Sequence, residues 1–245
     1  MHAAATRQAA LDLIATGLND CAVARRLGVP RTTVRDWRRR PSRRSAGLLC
    51  ARCWRPARPC RFTPADYAEL LGLYLGDGHI SQFARTQRLR LSLDARYPGV
   101  IADAEALLRR CFPHNRVMRV LADRDHTVVL VTYSQHLACL FPQHGTGKKH
   151  DRRVALEPWQ DEVVASAPWA FLRGCIRSDG CVFVNRTGRY EYLSYDFRNL
   201  SADILDLFER TCVLVGLRPR RYARRIRLYR RSDVAAPSEY VGGKA

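Results

Sequence analysis

Apolar positions along this chain recur in two rhythms, one of helical period and one of strand period. From residue 63 onward their order runs through twice. Leu70-Leu71-Gly72-Leu73-Tyr74-Leu75-Gly76-Asp77-Gly78 is a mostly apolar stretch of helical length closed by Asp-Gly, and Leu172-Arg173-Gly174-Cys175-Ile176-Arg177-Ser178-Asp179-Gly180 closes the same way. After Gly78, alternation predicts strands near His79–Phe83 and Arg88–Leu93, turning at Arg85-Thr86-Gln87. After Gly180 the counterparts are Cys181–Asn185 and Tyr190–Phe197, turning at Arg186-Thr187-Gly188-Arg189. Amphipathic helices follow at Val100–Phe112 and Ala202–Val215, with Cys111 and Cys212 ending them in equivalent places. Each half then offers another strand pair, Arg116–Leu121 with Thr127–Tyr133 and Arg218–Ala223 with Arg225–Arg230. The second copy ends raggedly, in the short Gly- and Pro-containing stretch Ala235–Ala245.

The motif runs are more alike than their elements require. Gly72 and Gly76 are four apart, as are Gly174 and Ser178, so each pair shares one helix face. Faces without bulky side chains let two backbones approach closely. Two such helices packed side by side would bring Asp77 and Asp179, 102 residues apart, into one place. Carboxylates are disfavoured at the negative end of a helix dipole, so a matched pair of them points to a purpose beyond packing. Gly78 and Gly180 are expected to end the helices in the left-handed conformation.

The first forty residues follow a different plan. Leu11, Leu13, Ile14 and Leu18 give one helix its apolar face, Asn19-Asp20 caps a second through Leu27, and Gly28-Val29-Pro30 turns into a third over Arg31 to Arg40, stopped by Pro41. Ala24, Gly28 and Val34 fall at helix-turn-helix offsets, with Trp37 one turn further on. This segment resembles the helix-turn-helix of bacterial repressors and of resolvase- or invertase-type recombinases. In that geometry Arg31, Thr32, Thr33 and Arg35 meet base edges, while Arg38, Arg39 and Arg40 meet phosphate. A basic linker, Pro41-Ser42-Arg43-Arg44-Ser45, leads to Cys50-Ala51-Arg52-Cys53 and Cys60. That spacing suggests a zinc knuckle, for which no fourth Cys or His lies nearby.

Charge narrows the partner. The formal net charge is +19, and 39 of the 42 basic residues are arginine, the lysines being Lys148, Lys149 and Lys244. Arginine suits bidentate phosphate contact and base recognition, so a polyanion, most simply nucleic acid, is the expected partner, and the helix-turn-helix resemblance makes that double-stranded DNA. No long apolar span or basic amphipathic helix points to a membrane. The N-terminus has no apolar signal core, and nine cysteines read as reduced thiols or metal ligands, so a cytoplasmic, nucleoid-associated protein is expected.

Residues 63–245 resemble the LAGLIDADG homing endonucleases in their single-chain, two-motif form. Leu70–Gly78 keeps the spacing of the family's nine-residue motif, and Leu172–Gly180 keeps it with Arg173 and Arg177 interrupting the apolar run. Gly145-Thr146-Gly147-Lys148-Lys149-His150, leading to Leu156-Glu157-Pro158-Trp159, is similar to the joint between such halves. The resemblance implies an α+β fold of two pseudo-symmetric αββαββα repeats forming a DNA-binding saddle, after a small all-α domain. The corresponding domains are 1–41 (helix-turn-helix), 42–62 (linker and Cys knuckle), 63–147 (first repeat) and 148–245 (second repeat). It also implies that Asp77 and Asp179 coordinate Mg²⁺ or another divalent cation and act catalytically. Arg85, Arg88, Arg90, Arg186, Arg189, Tyr192, Arg220, Arg225 and Arg227 are the strand and turn groups suited to the major groove. A monomer with an internal pseudo-two-fold is expected.

Active members of the family place basic and polar side chains from the strands around the scissile phosphates, often including a lysine. Neither sheet here contains a lysine, Lys148 and Lys149 lie in the linker, and arginines or Gln87 are the candidates to substitute. Two functions therefore stay open on the sequence: a divalent-metal-dependent DNA endonuclease, or a transcriptional regulator that keeps the saddle without cleavage. An RNA-binding maturase is a third class known among relatives. His79 reads as polar surface, Trp159 and Trp169 as packing anchors, and Cys175 and Cys181 as buried small hydrophobes.

Overall fold

The structure is a computed structural model that describes residues 4–39, 62–122 and 126–241. The Cys50, Cys53 and Cys60 knuckle, Arg40 and Lys244 lie outside the described residues. The chain divides into two compact units, Met1–Leu48 and Leu49–Ala245.

The first unit holds three helices, α1 (Ala4–Ala15), α2 (Asp20–Leu27) and α3 (Arg31–Arg39). The Asn19 side chain accepts from the Ala22 amide at 2.9 Å, which satisfies an orphan N–H at the start of α2. Gly28 ends α2 at φ 63°, a left-handed cap that glycine adopts without strain. Ala10, Val23, Ala24, Val29 and Val34 form the core, flanked by Leu13, Ile14, Leu18 and Trp37. This core is small, and Arg38 adds to it from the edge of α3. Its guanidinium donates to Asp20 Oδ1 at 2.7 Å and to the Leu18 carbonyl at 2.6 Å, tying α3 to the entrance of α2.

The second unit runs α4 (Pro64–Asp77), β1 (Gly78–Gln82), β2 (Gln87–Asp94), α5 (Pro98–Cys111), β3 (Met118–Ala122), β4 (Thr127–Ser134) and α6 (Leu137–Leu140). It then repeats as α7 (Pro158–Ser166), α8 (Pro168–Asp179), β5 (Gly180–Thr187), β6 (Tyr190–Arg198), α9 (Ala202–Leu214), β7 (Arg220–Tyr222), β8 (Arg225–Leu228) and α10 (Arg231–Tyr240). The sheets are antiparallel with matching orders, β1-β2-β4-β3 and β5-β6-β8-β7. Gly78 pairs with Leu91 and Gly180 with Phe197, which puts the two copies in a common register. One core serves both halves, with Tyr74, Leu71, Leu89 and Leu91 from the first and Phe171, Ile176, Tyr195 and Phe197 from the second.

Three expectations change. Gly78 and Gly180 are extended, at φ −86° and −94°, because each already begins a strand. They must be glycine for a different reason. A Cβ would lie 2.5 Å from Tyr74 Cα or 2.6 Å from Ile176 Cα, because the chain folds straight back against its own helix. The C-terminal stretch read as ragged is helical over Arg231–Tyr240 despite Pro237. Val234 and Val241 bury there and Tyr240 stacks on Trp169 at 5.1 Å, so tertiary packing offsets the missing amide. Cys175 is buried as expected, but Cys181 is exposed on β5.

Candidate functional site

The site grows from the contact between α4 and α8. A Cβ on Gly72 would lie 2.5 Å from the Phe171 carbonyl oxygen and 2.8 Å from the Cys175 amide, and one on Gly174 would overlap the Glu69 carbonyl oxygen. At Gly76 the added carbon would strike the Ser178 side chain and lie 3.0 Å from Asp179 Oδ2. The two backbones therefore touch along the small-residue faces, and both helices end where Asp77 and Asp179 stand.

The arginines that interrupt the second motif have partners across this contact. Glu69 is 5% exposed and accepts from Arg173 at 2.6 Å and Arg177 at 2.9 Å, and Arg177 also reaches Asp103 at 2.7 Å. The charges on α8 are thus the counterpart of a buried acid on α4.

The acids face different clefts on either side of the helix pair. Asp179 lines a cleft of about 510 Å³ together with His79, His144, Lys149 and Arg152. Its Oδ2 accepts from Asn199 Nδ2 at 2.6 Å, which fixes the carboxylate. Asp77 lines a second cleft of about 590 Å³ with Asp94, Arg96, Tyr97 and Arg177. Among the described residues no three His, Cys, Asp or Glu side chains converge as a metal cluster. Asp77 and Asp179 thus stand in separate clefts, each a carboxylate donor that suits a hard cation keeping most of its waters.

A lysine from the linker stands at the end of α4. Lys149 Nζ donates to the carbonyls of Tyr74, Leu75 and Gly76 at 2.5, 2.9 and 2.9 Å and sits 5.0 Å from the Tyr74 ring centroid. It caps the negative end of α4, as a cation there should. Burial brings its pKa down to about 8, against the opposing pull of Asp179 and Asp77. Burial, then the Arg90 charge, holds His79 below the ordinary imidazole value, and burial followed by Arg152 does the same to His144. Burial pushes Tyr74 up to about 12 in spite of Arg152. Lys149 sits about 75 residues from the motif it serves, so periodicity and spacing held no signal for it.

The groups expected to meet DNA divide by face. Leu89, Leu91 and Leu93 of β2 point into the core, which places Arg88 and Arg90 on the opposite, outer face beside Ser81 and His79 of β1. In the second sheet Tyr195 and Phe197 point inward, which leaves Asp196, Arg225 and Arg227 on the outer face. Arg220 joins them opposite Arg227. Arg186 instead shares the face of Val182 and Val184, on the other side of β5, and pairs with Glu191 at 2.7 Å. Arg85 and Arg189 stand exposed in the turns. In the first unit Arg31, Thr32 and Arg35 are exposed and Thr33 is half-buried, whereas Arg38 is held by Asp20.

The Homeodomain-like domain family, HTH_23, matches residues 1–49. No curated protein matches the chain. Among solved structures, full-length WhiA from Thermotoga maritima is 16% identical with a TM-score of 0.49, covering 76% of this chain and 58% of its own. The chain thus spans a little over half of that protein's length. Mesophilic variants of the homing endonuclease I-DmoI are 14% identical at a TM-score of 0.50, covering 73% of this chain and 96% of theirs. I-DmoI in complex with DNA and Mn is 14% identical at the same TM-score, covering 73% and 97%. The chain is α+β, and its second unit shares the fold of the LAGLIDADG proteins.

Proposed function

We propose that this chain binds a long duplex DNA site with its helix-turn-helix and the outer faces of its two sheets, and hydrolyses phosphodiester bonds at the ends of α4 and α8. The observation that carries the reading is the delivery of Lys149 to the same helix ends as Asp77 and Asp179. It places a positive charge beside the two acids, held there by the α4 carbonyls. The shared fold of I-DmoI, solved with DNA and Mn, supports a DNA partner and the use of a divalent cation, which Asp77 and Asp179 would hold.

When bound, Mg²⁺ or Mn²⁺ supplies a Lewis acid for the phosphate and an acidified water. The chain's own residues do the rest. Asn199 orients the Asp179 carboxylate, and Lys149 offsets the negative charge gathered where two helix ends meet two acids. His79 is held toward its neutral form on the outer face, able to accept a proton from water beside Arg90. We assign the work by residue range as 1–41 for half-site reading, 63–147 and 148–245 for the saddle, and 42–62 for the connecting arm. The active species is a monomer associated with the nucleoid, since the internal repeat supplies its own pseudo-two-fold. Among the described residues no helix is long and apolar enough to cross a membrane.

Incubating the purified protein with randomised or genomic duplex DNA and Mg²⁺ or Mn²⁺ tests this. Cleavage that disappears in Asp77→Asn and Asp179→Asn, with binding kept, supports the nuclease. Tight binding without a cut at any metal concentration overturns it in favour of a DNA-binding regulator. One observation favours that second reading: all three Lys149 N–H groups are engaged by carbonyls, leaving none for a phosphate.

A further inference from the structure

The two sheets carry their outer-face arginines in different ways. Because Gly78 pairs with Leu91 and Gly180 with Phe197, Arg90 and Asp196 occupy the same register position in the two copies. In the first sheet, Arg88 and Arg90 form no ion pair among the described residues, and their Nε atoms are buried without a hydrogen-bond partner. Arg88 lies over the Phe83 ring at 5.1 Å. In the second sheet Asp196, 1% exposed, gathers three arginines. Arg227 Nε lies 3.1 Å from its Oδ2, Arg198 Nη2 3.5 Å and Arg225 Nη1 3.8 Å. Arg227 is fixed further by the Phe183 ring, 5.6 Å away. Asp196 Oδ1 is buried with no hydrogen-bond partner among the described residues.

Desolvating a carboxylate is expensive, and a negative charge on a face that meets phosphates lowers affinity. An acid kept there serves orientation instead. A guanidinium held by a carboxylate and an aromatic ring presents its fork in one direction, which is what bidentate contact with guanine O6 and N7 needs. Arginines with no carboxylate partner among the described residues, such as Arg88 and Arg90, have no acid to aim their forks and adapt to a nearby phosphate, and phosphate contacts carry no sequence information.

We propose that Asp196 is a specificity-determining positioning residue. It aims Arg225 and Arg227 at guanine edges, so the second sheet reads sequence while the first holds the backbone. This rests on the DNA-binding reading and is independent of cleavage. The test first selects the preferred duplex from a randomised library with the full-length wild-type protein. It then measures Kd for that duplex and a scrambled one, over a range of salt. Asp196→Asn should lower discrimination about tenfold, with scrambled-duplex binding unchanged or tighter. The double variant Arg88→Ala/Arg90→Ala should weaken both duplexes alike and shrink the salt slope by about two. Should Asp196→Asn fail to fold by circular dichroism, Arg227→Lys keeps the charge but removes the fork, and should lose discrimination at an unchanged salt slope. Wild-type selectivity retained in both Asp196→Asn and Arg227→Lys overturns the inference alone. Absence of duplex binding by the wild type overturns the DNA reading, and the inference with it.

Discussion

Replacing Gly174 with alanine probes the contact on which the site depends. The new Cβ would overlap the Glu69 carbonyl oxygen and lie 3.0 Å from both the Glu69 carbonyl carbon and the Leu73 amide nitrogen. These are backbone atoms of a hydrogen-bonded helix, so no side chain can rotate away and α4 must move from α8. Overpacking of this kind costs about 1–3 kcal/mol, and a rigid obstacle places Gly174 toward the upper part of that range. Alanine recovers about 1 kcal/mol of helix propensity. The net destabilisation is then about 1–2 kcal/mol, which for a unit of this size lowers Tm by roughly 2–8 °C. Thermal melting followed at 222 nm, repeated by urea titration, reads this directly. A Tm at or above that of the wild type refutes the close backbone contact, because only the propensity gain would then remain.

Three further outcomes follow from the same geometry. The folded-state pKa of Lys149 is about 8 against an ordinary 10.5, so the folded protein binds the proton less well than the unfolded chain; this penalty is full below about pH 8 and disappears as pH rises to about 10.5. Wild type should therefore gain roughly 3 kcal/mol relative to Lys149→Met between pH 7 and pH 10.5, and a pH-independent difference in urea melts contradicts the burial of the ammonium. Glu69→Ala leaves Arg173 and Arg177 facing each other without their shared acid and should cost about 2–4 kcal/mol, less than a fully buried pair because both arginines are partly exposed; a loss under 1 kcal/mol in denaturant melts refutes the bridge. Arg38→Ala removes the tie to Asp20 and Leu18 and should destabilise the N-terminal unit by about 1 kcal/mol, seen as faster amide exchange in α3, with no change expected in the second unit.

Much of the architecture was legible because it is periodic. The paired motif runs, the strand alternation in each half and the capped helices of the first unit all obey local rules, and the structure follows them. Local rules stop where a residue's partner is remote. Lys149 lies among Gly, Thr, Lys and His, a composition that reads as linker, and only the folded loop brings it to the Gly76 carbonyl. Arg173 and Arg177 break the apolar pattern of their own helix, and the compensating acid, Glu69, lies more than a hundred residues away. Pro237 argues against a helix locally, yet the burial of Val234 and Val241 and the stacking of Tyr240 on Trp169 hold one. Arg186 reads as a turn residue in the sequence, but the strand extends through Thr187 and alternation sends it to the face opposite the other arginines.

The matched Asp-Gly ends raise an electrostatic problem that the duplicated fold does not solve by itself. Two helices bring their negative ends together, and an aspartate follows on each. The halves answer unequally. At Asp179 the compensation is built in, with Lys149 on the α4 carbonyls, Asn199 on the carboxylate and Arg152 nearby. On the Asp77 side the cleft brings a second acid, Asp94, whose charge is met by Arg96 at 2.6 Å, and an arginine, Arg177, that is already committed to Glu69 and Asp103. A divalent cation bound at these helix ends would compete with Lys149, whose charge is drawn by both Asp179 and Asp77. The expected consequence is a larger Mn²⁺-induced rise in Tm for Lys149→Met than for the wild type. An equal rise in both shows that the lysine and the metal act at separate places.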